Sequence, residues 1–237
     1  MLWACVFGGG LCQAADELRL VTTLTPEQRA FHLGNSVLIE ACRRAGLQLR
    51  LQDSLPDGRA QAMLEAGTVD GDLARDLAFS RQLPQAIRIE PAYAQDHYLA
   101  IGLAHAPRAD NWAALSDRRI AYLRDAKFVT ENTRHIAFRR QVNDYHSCLN
   151  LILNGKVDVC IAAENSISNF LDQAEYKHQL NRLGILASVD VYLFLAPNRQ
   201  ALADRLRNQL AVMQALGEFE KFRQAALSQD CLHCLPE

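Results

Sequence analysis

An arginine that follows a predicted strand is suited to carboxylate recognition, and Arg75 has this position in the sequence. Its planar guanidinium presents parallel N–H donors that match the two oxygens of a carboxylate. Gly71 allows the backbone to approach a bound molecule, and Asp72 lies between the two. The sequence therefore predicts that Gly71, Asp72 and Arg75 contact a carboxylate-bearing ligand. The alternative is a surface ion pair between Arg75 and Asp72 or Asp76.

Glu164 is a second candidate, because it comes just after an apolar run at 160–162 that is typical of a strand. Open α/β sheets bind their ligands beyond the carboxyl ends of the strands. We therefore expect Glu164 to meet a ligand ammonium group. The other interpretation is that Glu164 caps a helix that begins near Ser166.

Arg124 and Tyr98 complete the candidate site. Arg124 lies between a predicted strand at 120–123 and a predicted helix at 128–137. A helix N-terminus favours negative charge, so Arg124 and the loop amides are candidates for binding an anion. Tyr98 is a candidate for an aromatic wall, although most aromatic side chains serve packing.

Catalytic and metal-binding motifs are missing from the sequence. The histidines form no i,i+4 pair, and no Gly-x-Ser-x-Gly elbow, Walker loop or Gly-x-Gly-x-x-Gly fingerprint occurs. We therefore expect no nucleophilic active site, no metal and no cofactor. The 237 residues carry 25 Lys and Arg against 27 Asp and Glu, and 49% are hydrophobic. This composition excludes a disordered chain, and its net charge of -2 argues against a nucleic-acid partner.

Residues 1–15 contain no charged side chain and include an apolar core at 2–11. This core is too short to span a bilayer, which takes about 20 apolar residues. Ala14 and Ala15 are small residues of the kind that precede a cleavage site. The segment therefore predicts a signal peptide at 1–15 and an exported, periplasmic protein. The alternative is a frayed N-terminus of a cytosolic protein.

Cysteine usage depends on this leader, because its removal leaves five of the seven cysteines. Cys42 and Cys160 lie in apolar patterns where a small hydrophobic side chain packs well. Cys231 and Cys234 form a C-x-x-C pair near the C-terminus. For an exported protein we expect a structural disulfide, either between Cys231 and Cys234 or from one of them to Cys148.

The candidate residues are carried by alternating strands and helices, which implies crossover connections and parallel strands. Gly46 and Gly67 follow two of the predicted helices, where a C-terminal glycine is expected. The predicted elements are a strand at 18–23, a loop at 25–35, a helix at 36–45, a strand at 47–51, a helix at 59–66 and an amphipathic helix at 200–216.

A short internal sequence repeat indicates two similar α/β units. Residues 63–70 and 151–158 both run from an apolar helix through glycine and one further residue to Val-Asp. Two extended, apolar runs at 98–104 and 189–196 are predicted to cross between the units as hinge strands. The domain boundaries that follow are a discontinuous first lobe, 16–100 plus 198–237, and a second lobe, 101–197.

The chain resembles the type 2 periplasmic solute-binding proteins (solute-binding protein family 3), which include amino-acid-binding components of ABC transporters. The similar segments are 59–75, with the pattern L-x-x-G-x-x-D-G-x-x-x-R, 115–123 and 153–161. Two departures are the lack of a Pro-aromatic pair after the first strand and the presence of Ala162 and Ala163 near the usual position of an amine-binding Asp. The resemblance implies two mostly parallel α/β lobes, flanked by helices and joined by two hinge strands.

The function implied is a monomeric binding protein that closes on a small, carboxylate-bearing, amino-acid-like solute. An ABC permease or a membrane sensor would then recognise the closed form. Two alternatives stand beside it. One is an enzyme on the same scaffold, such as a prephenate- or arogenate-type dehydratase, with Glu164 as its acid or base. The other is a cytosolic effector-sensing domain.

Overall fold

The structure is a computed structural model, and it describes residues 16–227. The predicted signal peptide and the Cys231–Cys234 alternative lie outside the described residues. The strands are β1 (Asp16–Val21), β2 (Leu47–Leu51), β3 (Gly71–Arg75), β4 (Ile87–Leu103), β5 (Ile120–Leu123), β6 (Arg139–Val142), β7 (Val159–Ala163) and β8 (Leu180–Leu195). The helices are α1 (Arg29–Arg44), α2 (Asp57–Glu65), α3 (Phe79–Gln82), α4 (Lys127–Asn132), α5 (Tyr145–Leu153), α6 (Glu164–Leu171), α7 (Gln200–Ala215) and α8 (Glu218–Leu227).

The strands form one sheet in the order β2-β1-β3-β8-β4-β7-β5-β6. Strand β1 pairs in parallel with β2 and β3, and β5 pairs in parallel with β6 and β7. Between these two parallel sets, β4 and β8 run antiparallel along almost their whole length. The sheet therefore consists of two equivalent halves joined by a two-stranded ribbon. This arrangement confirms the two-lobed α/β fold with two hinge strands.

Each half has its own hydrophobic core. The cores of the first half draw on residues 18–94 and 191–226, and those of the second draw on residues 98–186. Within β4, Ile89 and Tyr93 pack in the first half, whereas Leu99 and Ile101 pack in the second. The ribbon therefore passes from one core to the other between residues 94 and 98.

The internal sequence repeat corresponds to a repeated local structure. The Asp70 backbone N–H donates to the Arg19 carbonyl at 2.7 Å, and Asp70 Oδ2 accepts the Arg19 N–H at 2.7 Å. The second half repeats this: the Asp158 N–H donates to the Arg119 carbonyl at 2.7 Å, and Asp158 Oδ2 accepts the Arg119 N–H at 2.8 Å. In each half the aspartate directly precedes one strand and fixes its start against the neighbouring parallel strand, at Arg19 within β1 and at Arg119 just before β5. The interpretation as two similar units is confirmed.

The glycines predicted to end helices do so. Gly46, Gly67 and Gly155 have φ values of 65°, 67° and 63°. This left-handed conformation strains residues that carry a Cβ atom, and it lets a glycine terminate a helix.

Two helix boundaries differ from the sequence prediction by more than two residues. Helix α1 begins at Arg29 rather than 36, because Leu33 shares a buried face with Val37 and packs into the core despite the polar start of this stretch. Helix α4 ends at Asn132 rather than 137. The hydroxyl groups of Thr130 and Thr133 donate to carbonyls four residues earlier, an alternative bonding that weakens helices.

The prediction that Cys148 pairs with Cys231 or Cys234 is wrong, since Cys148 bonds to Cys160. Helix α5 packs across β7, which brings the two Cα atoms within 5.8 Å. Cys160, which was expected to serve packing, and Cys148, which was expected to pair elsewhere, therefore face each other. Cys42 is free and buried, as its apolar pattern predicts, and burial raises its pKa to about 12.

Candidate ligand-binding cleft

A cavity of about 860 Å³ lies between the two halves. Its wall is built where the parallel strands of both halves end, which is the ligand-binding edge of open α/β sheets. The lining includes Thr23 and Leu24 beyond β1, Ser54 and Leu55 beyond β2, Arg75 and Asp76 at the end of β3, Arg124 and Asp125 beyond β5, Asn143 and Asp144 beyond β6, and Ala163 at the end of β7.

The hinge ribbon supplies the floor of the cavity. Asp96 and Tyr98 come from β4, and Val189 and Val191 come from β8. The Tyr98 ring stacks on Phe128, with centroids 4.7 Å apart and an interplanar angle of 22°. Hinge and second half therefore provide an aromatic surface that is suited to the flat or aliphatic part of a small molecule.

Arg75 is engaged by carboxylates of its own chain. Its Nε donates to Asp72 Oδ2 at 2.8 Å, and its Nη1 bonds to Asp57 Oδ1. The side chain is 12% exposed and lies over the Phe79 ring at 4.7 Å. Burial by itself would lower the pKa of Arg75, but the two carboxylates outweigh it and raise the pKa. The guanidinium of Arg75 thus offsets the negative charge of two buried carboxylates, those of Asp57 and Asp72.

This network continues across the cleft. Lys127, the first residue of α4 in the second half, lies 3.0 Å from Asp57 Oδ2 and donates to Gln82 Oε1 at 2.6 Å. Burial would raise the pKa of Asp57, but Arg75 and Lys127 outweigh it and hold the pKa below its ordinary value. Asp57 is therefore an ionised bridge between the halves.

Both rims of the cleft carry contacts between the halves. On the rim beside Lys127, Arg81 Nη2 lies 2.8 Å from Glu131 Oε2. Between α1 and the end of α6, Arg29 Nη2 lies 3.1 Å from Asp172 Oδ2. These contacts join the two halves across the cleft.

Three of the six predicted site residues line the cavity: Arg75, Tyr98 and Arg124. Arg124 is exposed, and no ion pair engages it within residues 16–227. Asp72 and Gly71 do not line the cavity. Asp72 is buried behind Arg75, and a Cβ atom at Gly71 would lie 2.4 Å from the Phe194 carbonyl oxygen, so this glycine serves close strand packing.

Glu164 also lies outside the cavity lining, and its Oε1 is 3.3 Å from Arg182 Nη1. The alternative that Glu164 caps α6 is wrong, because the N-cap residue is Ala163 and no side chain bonds there.

Sequence reasoning did not select seven of the charged residues that line the cleft, among them Asp57, Asp76, Asp96 and Lys127. Asp76 directly follows Arg75, so the strand-end rule that selected Arg75 applies to Asp76 as well. Asp96 had a signal of another kind, namely a charged residue just before an apolar hinge strand. Asp57 and Lys127 had no local signal, because their roles depend on the approach of the two halves.

No protein-family model matches the chain. An uncharacterized protein of Shewanella oneidensis is 24% identical over 206 residues, which is 84% of this chain and 78% of that protein. Among solved structures, the probable amino-acid ABC transporter extracellular-binding protein YtmK of Bacillus subtilis superposes with a TM-score of 0.73 at 14% identity, covering 91% of this chain and 99% of YtmK.

Two further structures show the same likeness. An ancestral arginine-binding protein bound to arginine has a TM-score of 0.72 at 12% identity, over 90% of this chain and 98% of that protein. The periplasmic VFT2 domain of Bordetella pertussis BvgS has a TM-score of 0.72 at 14% identity, over 88% of this chain and 92% of the domain.

These likenesses define the class of fold: the chain has the two-lobed fold of type 2 periplasmic solute-binding proteins. The resemblance drawn from the sequence is confirmed at the level of fold. The solved structures that share the fold are described as binding proteins of amino-acid transporters and as sensor domains. Within residues 16–227, no helix is long and apolar enough to cross a membrane.

Proposed function

We propose that this protein binds a small, amino-acid-like solute in the cleft and performs no chemistry on it. The solute stabilises the closed arrangement because it contacts both lobes, and a transporter or a membrane sensor recognises that form. The lobes are the halves whose cores draw on residues 18–94 plus 191–226 and on residues 98–186, and the hinge lies in the ribbon of β4 and β8 between them. The uncharged leader at 1–15 supports export to the periplasm.

The observation that carries this proposal is the position of the cavity. It is lined by strand ends of both lobes and by the hinge ribbon, so a molecule inside can contact both lobes and the hinge. Its volume, about 860 Å³, is in the range of small-molecule sites.

Within this cleft, Arg124 is the better candidate for a ligand carboxylate. Its guanidinium lines the cavity and is unpaired among the described residues, whereas that of Arg75 bonds to Asp72 and Asp57. Tyr98 supplies the aromatic wall. Gly71, Asp72 and Glu164 act indirectly, through strand packing and ion pairs that hold the walls in place.

The test is small-angle X-ray scattering of the mature protein with and without solutes from an amino-acid and amine library. We expect a solute that binds to reduce the radius of gyration of the protein. We expect Arg124→Ala to lower the affinity for carboxylate-bearing solutes about tenfold or more. Scattering that stays unchanged across the library, together with no calorimetric binding, would overturn the proposal.

A further inference from the structure

The unpaired charges of the cleft are strongly unbalanced. Within the described residues the lining carries three cationic side chains and six carboxylates: Arg75, Arg124 and Lys127 against Glu27, Asp57, Asp76, Asp96, Asp125 and Asp144. Arg75 and Lys127 are both paired with Asp57, and Arg75 also with Asp72. Arg124 is therefore the one unpaired cation against five remaining carboxylates. A concave site lined by one sign of charge concentrates ligands of the opposite sign.

Asp96 is the most deeply placed of these carboxylates, at 8% exposure on the hinge strand. Its Oδ1 accepts the backbone N–H groups of His97 at 2.8 Å and Asn165 at 3.1 Å. Among residues 16–227 the hydrogen bonds of this carboxylate come through Oδ1, and it forms no ion pair with a Lys or Arg. The carboxylate is thus oriented by the protein but not neutralised by it, which is costly for a buried charge.

Asp76 approaches the same region from the first lobe. Its Oδ1 accepts the Ala78 N–H at 2.8 Å, and it forms no ion pair with any residue in 16–227. Asp76, Asp96 and Tyr98 line the same cavity, and burial together with the charges of both carboxylates raises the pKa of the Tyr98 phenol. The stacked Tyr98 and Phe128 rings offer aromatic faces, which attract cations.

We propose that the solute is an organic cation with a net positive charge, whose ammonium or guanidinium group is held by Asp96 and Asp76 against Tyr98. This inference rests on the proposed function, since it names the class of solute for the same cleft. It gives the buried Asp96 the counter-charge that the chain itself does not supply. The solute can also carry a carboxylate, bound by Arg124, provided that its cationic groups outnumber its carboxylates so that its net charge stays positive.

The test is titration calorimetry with L-arginine, agmatine and putrescine as cationic probes. Citrulline has the shape of arginine without its side-chain charge, and L-glutamate carries a net negative charge. We expect at least one cation to bind, and citrulline and glutamate to bind about tenfold more weakly or not at all. Binding of none of the three cations, or equal binding of citrulline and arginine, would overturn the assignment.

Variants locate the charge. Asp96→Asn keeps an acceptor for the two N–H groups and removes the charge, and we expect it to weaken the bound cation about tenfold or more. Asp117→Asn, an exposed position outside the cavity lining, is the matched control and should leave affinity unchanged. If both Asp96→Asn and Asp76→Asn leave the affinity for the cation unchanged, these two carboxylates do not hold its charged group. If glutamate closes the lobes and no cation does, the solute is not a cation, whereas the proposed solute-binding role still stands.

Discussion

Substitution of Arg75 by methionine separates a structural role of this residue from a ligand-binding role. The side chains of Arg75, Asp57 and Asp72 are 12%, 6% and 1% exposed. The variant therefore leaves Asp57 paired with Lys127 alone and Asp72 without an ion pair among the described residues. Removing one partner of a buried ion pair costs about 3–5 kcal/mol. For a protein of this size, that corresponds to a fall in Tm of about 6–20 °C.

The assay is urea unfolding of the mature protein, followed by far-UV circular dichroism at pH 7 without ligand. Arg81→Met is the matched control, because it removes an arginine of the same cleft rim whose ion pair with Glu131 is exposed. Exposed pairs contribute less than about 1 kcal/mol. We therefore expect a large loss of unfolding free energy for Arg75→Met and a small one for Arg81→Met.

The pH dependence gives a second readout. In the wild type, Arg75 and Lys127 outweigh burial and lower the pKa of Asp57. Its stabilising contribution is therefore complete above the ordinary carboxyl pKa of about 4 and is lost as pH falls through the lower folded value. In Arg75→Met the buried acids favour protonation, so the difference from wild type should shrink below about pH 4.

One result would refute this reasoning: the unfolding free energy of Arg75→Met lies within about 1 kcal/mol of the wild-type value, but the variant no longer binds its solute. That combination would show that Arg75 receives the ligand and that its ion pairs contribute little to stability.

Three further predictions concern packing, titration and the disulfide. Gly71→Ala should lower the unfolding free energy measured in urea by about 1–3 kcal/mol, because its Cβ would meet a carbonyl of β8. Gly58→Ala, with open space around it, should raise the unfolding free energy by up to about 1 kcal/mol. Equal effects of the two substitutions would contradict this prediction. Burial raises the pKa of Asp96 to about 6, so wild-type stability should fall as pH rises from about 4 to 6, and Asp96→Asn should remove that slope in a Tm–pH series. Reduction of the Cys148–Cys160 bond should cost about 3 kcal/mol, and peptide mapping that pairs either cysteine differently would refute the assignment.

Local patterns predicted the fold because the residues that terminate and pair elements lie close together in sequence. Gly67 and Gly155 could be identified as helix ends because only a few residue types tolerate a positive φ. Asp70 and Asp158 marked the repeated unit because each follows its glycine at the same spacing. Both features require no knowledge of distant contacts, and both agree with the structure.

The start of α1 was missed for the opposite reason. The polar composition of residues 25–35 is typical of a loop, and only the packing of Leu33 against the first-lobe core makes the helix begin at Arg29. Tertiary contacts outweigh intrinsic preference in such stretches.

The sequence by itself determined the two-unit α/β organisation and the edge of the sheet where a ligand site belongs. Helix ends, strand periodicity and strand termini are short-range properties, and they brought Arg75, Tyr98 and Arg124 to the cleft. Only the tertiary structure decided which of these charges are free. Asp57 lies 18 residues from Arg75, on another element of the same lobe, and far along the chain from Lys127, whose ion pair with Asp57 joins the two lobes. Electrostatic partnership depends on distance in space, and for these residues sequence separation carries no information about it.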